Sequence, residues 1–398
     1  MRIPGFIVSW LSAAVILLAS LPAAGEVPSS PAGVFGSPAL LRDVALSAPL
    51  SDLFRRTESV MAKHEVGSEK PKLPTVKGTL RVVSASGVVE TFEDVIVAPR
   101  GHSSLLPGQC RFPKLTLRFS KSTKGTSLGG LKTIKIGTHC GETAVPLPTW
   151  DRVGNEKEPI REVLAYAVLR RVGVVSLLAR PIEVTYTDTS RQPSEVHFPQ
   201  NPLTRKAFFL EDDGPSAKRY GGSVIQKAQE ILESTPEDGA PFKDATSSRI
   251  DPADVALAVL GETLFDNPDY FVKLWATDHA EGALEGYTNY NVNIIIDKDK
   301  HRLLQVYDWD TAGWVKGPET STGARFPAAL TRLRAYPAMT TAALATAIKA
   351  YLAAKDDVYR AVDALFSTDG VGSDPEGHAN IHRHLDDFFG FLQSLPAD

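Results

Sequence analysis

The chain has 398 residues, of which 43% are apolar and 23% charged, with a net charge of −4. Its lysines and arginines are scattered, which excludes a nucleic-acid footprint and a polybasic membrane patch. Past the first 25 residues no apolar run nears the ~20 residues that span a bilayer, and about 370 residues remain for one large domain or two lobes.

Residues 1–25 read as a cleavable secretory signal peptide. Arg2 supplies the positive start, Phe6 to Leu21 is almost wholly apolar, and Ala23-Ala24-Gly25 offers the small residues a signal peptidase needs. The mature protein is then expected to be secreted or periplasmic, with no integral membrane segment. Cys110 and Cys140 are the two cysteines, with 29 residues between them. In an oxidising compartment such a pair is expected to form a disulfide, which would stabilise the fold by about 3 kcal/mol.

Residues 26–75 form the expected leader, mobile and rich in Pro, Ser and Gly to about Pro38, with short amphipathic helical turns between Leu40 and Met61. From Gly78 the period becomes two. Thr79 to Val83, Val88 to Phe92, Val95 to Val97, Leu115 to Phe119 and Thr133 to Ile136 predict an antiparallel β region. A helix is predicted from Ile160 to Val172, with Pro159 before it and Gly173 closing it. Strands return at Ile182 to Thr187 and Lys206 to Leu210, and the chain then reads as mainly helical to Trp275. Asn291 to Ile296 and Leu303 to Val306 predict a hairpin, and everything past Ala328 reads as helix. The expected fold is α+β, with a β-rich region over 76–212 and an α-rich region over 213–398.

The sharpest local signal is Leu303 to Asp310, an apolar strand running into Asp308-Trp309-Asp310. Two carboxylates at a rigid strand end suit a hard divalent cation; the plainer alternative is an acidic turn. Asn291 and Asn293 alternate onto one face of the preceding strand, as further oxygen ligands or as solvent-facing polar residues. Gly125-Thr126-Ser127-Leu128-Gly129 matches the string of serine hydrolases, but it lies in a polar hairpin where no nucleophile elbow can form. His378, His382 and His384 crowd one helix, with the first two at i, i+4. They read as a zinc site or as surface histidines.

Taken in order, several segments resemble the CotH-type atypical, spore-coat-like kinases, in an exported bacterial branch. The matching segments are Arg100-Gly101-His102-Ser103-Ser104, Phe112-Pro113-Lys114-Leu115, Arg161 to Tyr166, and Ala207 to Asp212 with Ala217-Lys218-Arg219. Asn267-Pro268-Asp269-Tyr270 and Tyr307 to Asp310 complete the series. The resemblance spans roughly residues 78 to 315 and implies a protein-kinase-like, two-lobe architecture that uses ATP with Mg²⁺ or Mn²⁺ to phosphorylate a protein acceptor. It implies that Lys114 holds the nucleotide phosphates and pairs with Glu162, with Arg100 and Glu211 also at the nucleotide. By the same resemblance Asp269 orients the acceptor hydroxyl, and Asp308 ligates metal with Asn291 and Asp310. Such a division of labour suits phosphoryl transfer, where catalysis is mostly positioning and charge neutralisation. The chain departs from the family at His102, where Asn is usual. The interval from Asp269 to Asn291 is also longer than a kinase catalytic loop, which leaves Asp278 as an alternative base. The alternative function is a kinase-shaped binding or envelope-structural module without turnover.

Overall fold

Alternating apolar side chains close the first half of the chain on itself. The computed structural model describes residues 33–64, 71–84, 86–101, 103–106, 109–140, 156–225, 250–267, 291–299, 302–310, 312–316, 325–336, 338–367 and 374–396. Residues 1–25, expected to be a signal peptide, lie outside them. Seven strands, β1 (Leu41–Ala48), β2 (Val76–Val83), β3 (Val89–Pro99), β4 (Leu115–Arg118), β5 (Thr133–Gly137), β6 (Ala179–Asp188) and β7 (Leu203–Leu210), form a closed barrel in the order 1-2-3-4-5-7-6. All neighbours are antiparallel except β1 and β6, which run parallel and seal the barrel.

The interior is filled by every second residue of each strand: Leu80 and Val82, Val95 and Val97, Leu115 and Leu117, Ile134 and Ile136, Ile182, Val184 and Tyr186. Helix α1 (Leu50–Met61) adds Leu50, Leu53 and Phe54 to the same cluster. On β7 the alternation serves two cores, since Phe209 belongs to the barrel cluster and Phe208 to the helical one.

Two expectations for the leader are corrected. Leu41–Ala48 is a strand rather than helical turns, because its apolar residues Val44, Leu46 and Ala48 alternate and find edges on both sides. The end of the leader is also held: Val34 is buried, and the Arg180 guanidinium donates to the carbonyls of Val34 and Ala39 at 2.9 and 3.0 Å. The strand break expected at Glu93-Asp94 is an irregularity inside one long strand. Asp94 takes φ of 55°, and the β2–β3 register shifts between Gly78 and Leu80.

Helix α2 (Glu158–Arg171) is buried on every side from Glu158 to Tyr166. It packs between the barrel and the C-terminal helices α4 (Pro252–Leu264), α6 (Arg325–Ala335), α7 (Thr341–Ala353), α8 (Lys355–Ser367) and α9 (Pro375–Ser394), whose apolar residues form one continuous cluster with it. Short helices α3 (Asp213–Arg219) and α5 (Gly313–Lys316) join the elements around it. The N-terminus of α4 follows the sequence signal, with Pro252 in the first turn and the Asp251 carboxylate accepting from the Ala253 N–H at 2.8 Å. A three-stranded sheet in the order β10 (Arg302–Val306), β9 (Val292–Asp297), β8 (Gly222–Ile225) contains the expected hairpin. Strand β8 is an addition, falling where a mainly helical stretch was expected. Among the described residues no helix is long and apolar enough to cross a membrane. Cys110 and Cys140 are joined in a disulfide.

His384 departs from the surface reading of its cluster. It is buried between Trp314 and Phe326, and its Nε2–H donates to the Leu264 carbonyl at 2.8 Å.

Two outcomes follow from this packing. A Cβ on Gly137 would lie 2.0 Å from the buried ring of Phe208, so Gly137→Ala should destabilise the chain by about 1–3 kcal/mol in denaturant titration. Burial depresses the His384 imidazole below its ordinary value. Its contribution to stability is therefore complete above about pH 6.5 and lost as pH falls below that. The stability advantage of wild type over His384→Gln should shrink on acidification through that window, measured by unfolding at each pH.

Candidate active site

The Lys114 side chain stands just before β4, on the outer wall of the barrel, because Leu115 and Leu117 take the inward positions. Its backbone carbonyl accepts from the Arg100 N–H at 2.8 Å, which fixes the strand end. The ammonium is buried and faces three carboxylates: Asp308 Oδ1 at 2.7 Å, Asp310 Oδ2 at 3.1 Å and Glu162 Oε2 at 3.8 Å. Lys114 and Glu162, implied as partners by the resemblance, therefore do meet, and both face Asp308.

Burial alone would lower the Lys114 pKa, but the three carboxylates outweigh it and hold the ammonium protonated well above its ordinary range. Glu162 is the most enclosed of the three acids, with a side chain only 3% exposed. Burial pushes its carboxyl up to about 7, Lys114 pulls it down, and Asp308 and Asp310 add to the rise.

The Asp308-Trp309-Asp310 triplet works by alternation. Both carboxylates turn to Lys114, while Trp309 is fully buried against Phe265, with ring centroids 5.0 Å apart. Asp308 itself has φ of 65°, a left-handed conformation that a non-glycine residue holds only when its surroundings impose it. Those surroundings are visible. Ser176 bridges in parallel to Val306, placing the end of β10 beside the segment that follows α2. The Asp308 N–H then donates to the Tyr166 hydroxyl at 3.0 Å. That hydroxyl donates in turn to Glu162 Oε1 at 3.3 Å. Burial, and then the charge of Glu162, keep the Tyr166 phenol protonated, so it can serve as this donor.

Tyr166 is the residue that sequence reasoning missed. Its signal was present, since it lies four residues after Glu162 on one helix face. Arg161 is a second. Its guanidinium donates to Asp374 Oδ2 through Nη2 and Nε at 2.6 and 2.9 Å, and to the Val315 carbonyl at 3.3 Å, anchoring α2 beside Glu162.

The other expected residues divide. Arg100 lies close enough to oppose the charge of Lys114 and favour that of Glu162. Asn291 precedes β9 with φ of 59°, and its carbonyl accepts from the N–H of Tyr307, one residue before Asp308. Asn293 points elsewhere and donates to Gln305 at 3.2 Å. Glu211 stands outside the Lys114 cluster, binding Arg219 at 2.8 Å and accepting from the Leu178 N–H at 3.1 Å. Asp269 and Asp278 lie outside the described residues. The chain is described as far as Asn267, and the Asp266 carbonyl accepts from the Gly313 N–H at 3.0 Å, three residues past Asp310.

Because Lys114 is shared by three acids, the site should respond non-additively to substitution. Lys114→Met leaves the carboxylates without their counter-ion and should cost about 3 kcal/mol of stability. Adding Glu162→Gln should recover part of that loss, read from a double-mutant cycle of unfolding free energies.

No family model matches the chain, and no curated protein matches it either. Among solved structures it is similar to the Helicobacter pylori proinflammatory kinase CtkA, with a TM-score of 0.36 and 8% identity over 72% of this chain and 93% of that one. It is also similar to the Golgi casein kinase with Mn/ADP bound, with a TM-score of 0.34 and 7% identity over 86% of this chain and 75% of that one. Both neighbours are kinases, at similarities too low to fix a function for this chain.

Proposed function

We propose that this chain is an exported, metal-dependent phosphotransferase of the CotH-like kind, moving the γ-phosphoryl group of ATP to a protein hydroxyl. The observation that carries the reading is the buried Lys114 ammonium shared by Glu162 on α2 and by Asp308 and Asp310 at the end of β10. Three carboxylates converging from a helix and a strand end, two of them one residue apart, suit a divalent cation. The donor set fits a hard divalent ion, since the described groups paired with Lys114 are all carboxylates, and the backbone carbonyl of Asn291 accepts from the Tyr307 N–H beside Asp308. Asp308 and Asp310 would hold Mg²⁺ or Mn²⁺, which would neutralise phosphate charge.

With those two carboxylates engaged by a metal ion, Lys114 would keep Glu162 as its partner and would supply positive charge to the nucleotide phosphates. Tyr166 keeps Glu162 and the Asp308 backbone in register meanwhile. In the transfer the acceptor oxygen bonds to the γ-phosphorus as the bond to the bridging oxygen breaks. Asp269 takes the hydroxyl proton, and ADP leaves. The disulfide between Cys110 and Cys140 supports an oxidising, extracytoplasmic setting. The second reading, a binding module without turnover, draws on Glu211, which is locked to Arg219 rather than turned toward Lys114.

The test is incubation of the mature chain with γ-labelled ATP and Mg²⁺ or Mn²⁺, with the chain itself and a generic protein as acceptors. Wild type should transfer label. Asp308→Asn should lose metal-dependent nucleotide binding and transfer together. Asp269→Asn should keep binding while transfer falls by about 100-fold or more. Nucleotide binding by wild type without transfer would instead establish the binding module, and absence of both would refute the proposal. Undiminished transfer by Asp269→Asn would move the base to Asp278.

A further inference from the structure

Away from the candidate active site, α8 and α9 pack antiparallel through a short polar patch. Lys355 lies over Phe389, Tyr359 packs on Phe389 and His382, and Phe366 packs on His378. Asp363 sits between Tyr359 and Phe366 on this stripe of α8, and one of its carboxylate oxygens meets Nε2 of both His378 and His382 at 2.8 Å. The two imidazoles, four residues apart on α9, stand edge to face with centroids 4.5 Å apart. Their ligand atoms and that of Asp363 all lie within 4.8 Å of one another.

We propose that Asp363, His378 and His382 form a binding site for a zinc-class transition-metal ion that clips α8 to α9. Two imidazole nitrogens and one carboxylate oxygen are a ligand set that suits Zn²⁺, Co²⁺ or Ni²⁺, whereas Mg²⁺ and Ca²⁺ favour oxygen alone. Tetrahedral bonds of ~2.0–2.1 Å separate neighbouring donors by about 3.3 Å, so the observed contacts need open by only about 0.5 Å. Phe366 against His378 and Tyr359 against His382 hold the rings with Nε2 aimed at Asp363, so little ordering remains to be done on binding. Tyr359 is itself tied through its hydroxyl to Asp386 on α9. The side chains of Asp363, His378 and His382 are 55%, 36% and 29% exposed, which leaves an entry path and room for a water ligand.

The clip also has a mechanical target. His378 lies one turn into α9, after Asp374, and Asp374 is the carboxylate that grips Arg161 and Lys157 on and before α2. An ion between Asp363 and the two histidines therefore fixes the end of α9 that anchors the helix carrying Glu162.

The test uses the mature chain without a polyhistidine tag, metal-free, at a pH where both imidazoles are neutral. Zn²⁺ is titrated by calorimetry and Co²⁺ by visible absorption, each with excess Mg²⁺ present to fill all-oxygen sites. Wild type should bind one ion with a tetrahedral Co²⁺ spectrum and a raised Tm. His378→Ala and His382→Ala should each lose the saturable binding, the spectrum and the Tm shift, while Asp308→Asn should retain all three. All three side chains are at the surface, so the variants should fold, which the circular dichroism of each would establish. Equal binding by wild type and the histidine variants, no saturable binding by wild type, or loss in Asp308→Asn alone would each overturn the proposal.

Discussion

A lysine ammonium taken out of water needs counter-charge from whatever surrounds it, and Lys114 draws its counter-charge from two separate elements. Glu162 comes from α2, and Asp308 and Asp310 come from the end of β10. Desolvation of one ion costs several kcal/mol, so the barrel wall, the helix and the small sheet can come together only in the arrangement that satisfies it. The left-handed backbone at Asp308, the Tyr166 bridge and the parallel contact of Ser176 with Val306 all follow from meeting that requirement. The same three carboxylates crowd one another, and only the ammonium among them makes that crowding tolerable.

Helix α2 is the element through which these demands are passed on. From Glu158 to Tyr166 it is buried all round, so the polar residues there each need a partner inside the protein. Glu162 finds Lys114, Tyr166 finds Asp308, and Arg161 finds Asp374 at the start of α9. The C-terminal helices thereby help to set the position of the Glu162 carboxylate beside Lys114. Substitutions far along the chain, at Asp374 for example, act on the site through this helix rather than by touching it.

Much of this was legible in the sequence where one period dominated. The β2 to β5 run, the β9–β10 hairpin and the four helices from Arg325 onward each carry a clean two- or 3.6-residue pattern. Asp251-Pro252 marked a true helix start for the same local reason. The strand β1 was lost because Leu41, Val44, Ala45 and Ala48 also fit a helical period, and only the edges of β2 and β6, supplied by distant sequence, decide the matter. Barrel closure was invisible for that reason too. At the site, Lys114 and Glu162 came from a family resemblance alone, while Asp308 and Asp310 also stood out as carboxylates at a strand end, and the structure brings the four together. The roles of Tyr166, Arg161 and Glu211 depend on side chains that meet only after folding. His384 was misread because it shares a helix with two surface histidines, while its own face points to Trp314.

The parallel contact between β1 and β6 has a bearing on how the molecule reaches this state. Val44 lies opposite Val184, so the strand made first must wait for one made 140 residues later. Until β6 arrives, one edge of β1 has no partner, and the apolar residues that will line the barrel remain accessible to other chains. A barrel sealed by so distant a pairing forms slowly, because the long loop between its two edges must close before the contact can form. A chain built this way stays loosely structured while its N-terminal half emerges and gains its cooperative fold only once the sealing strand is present.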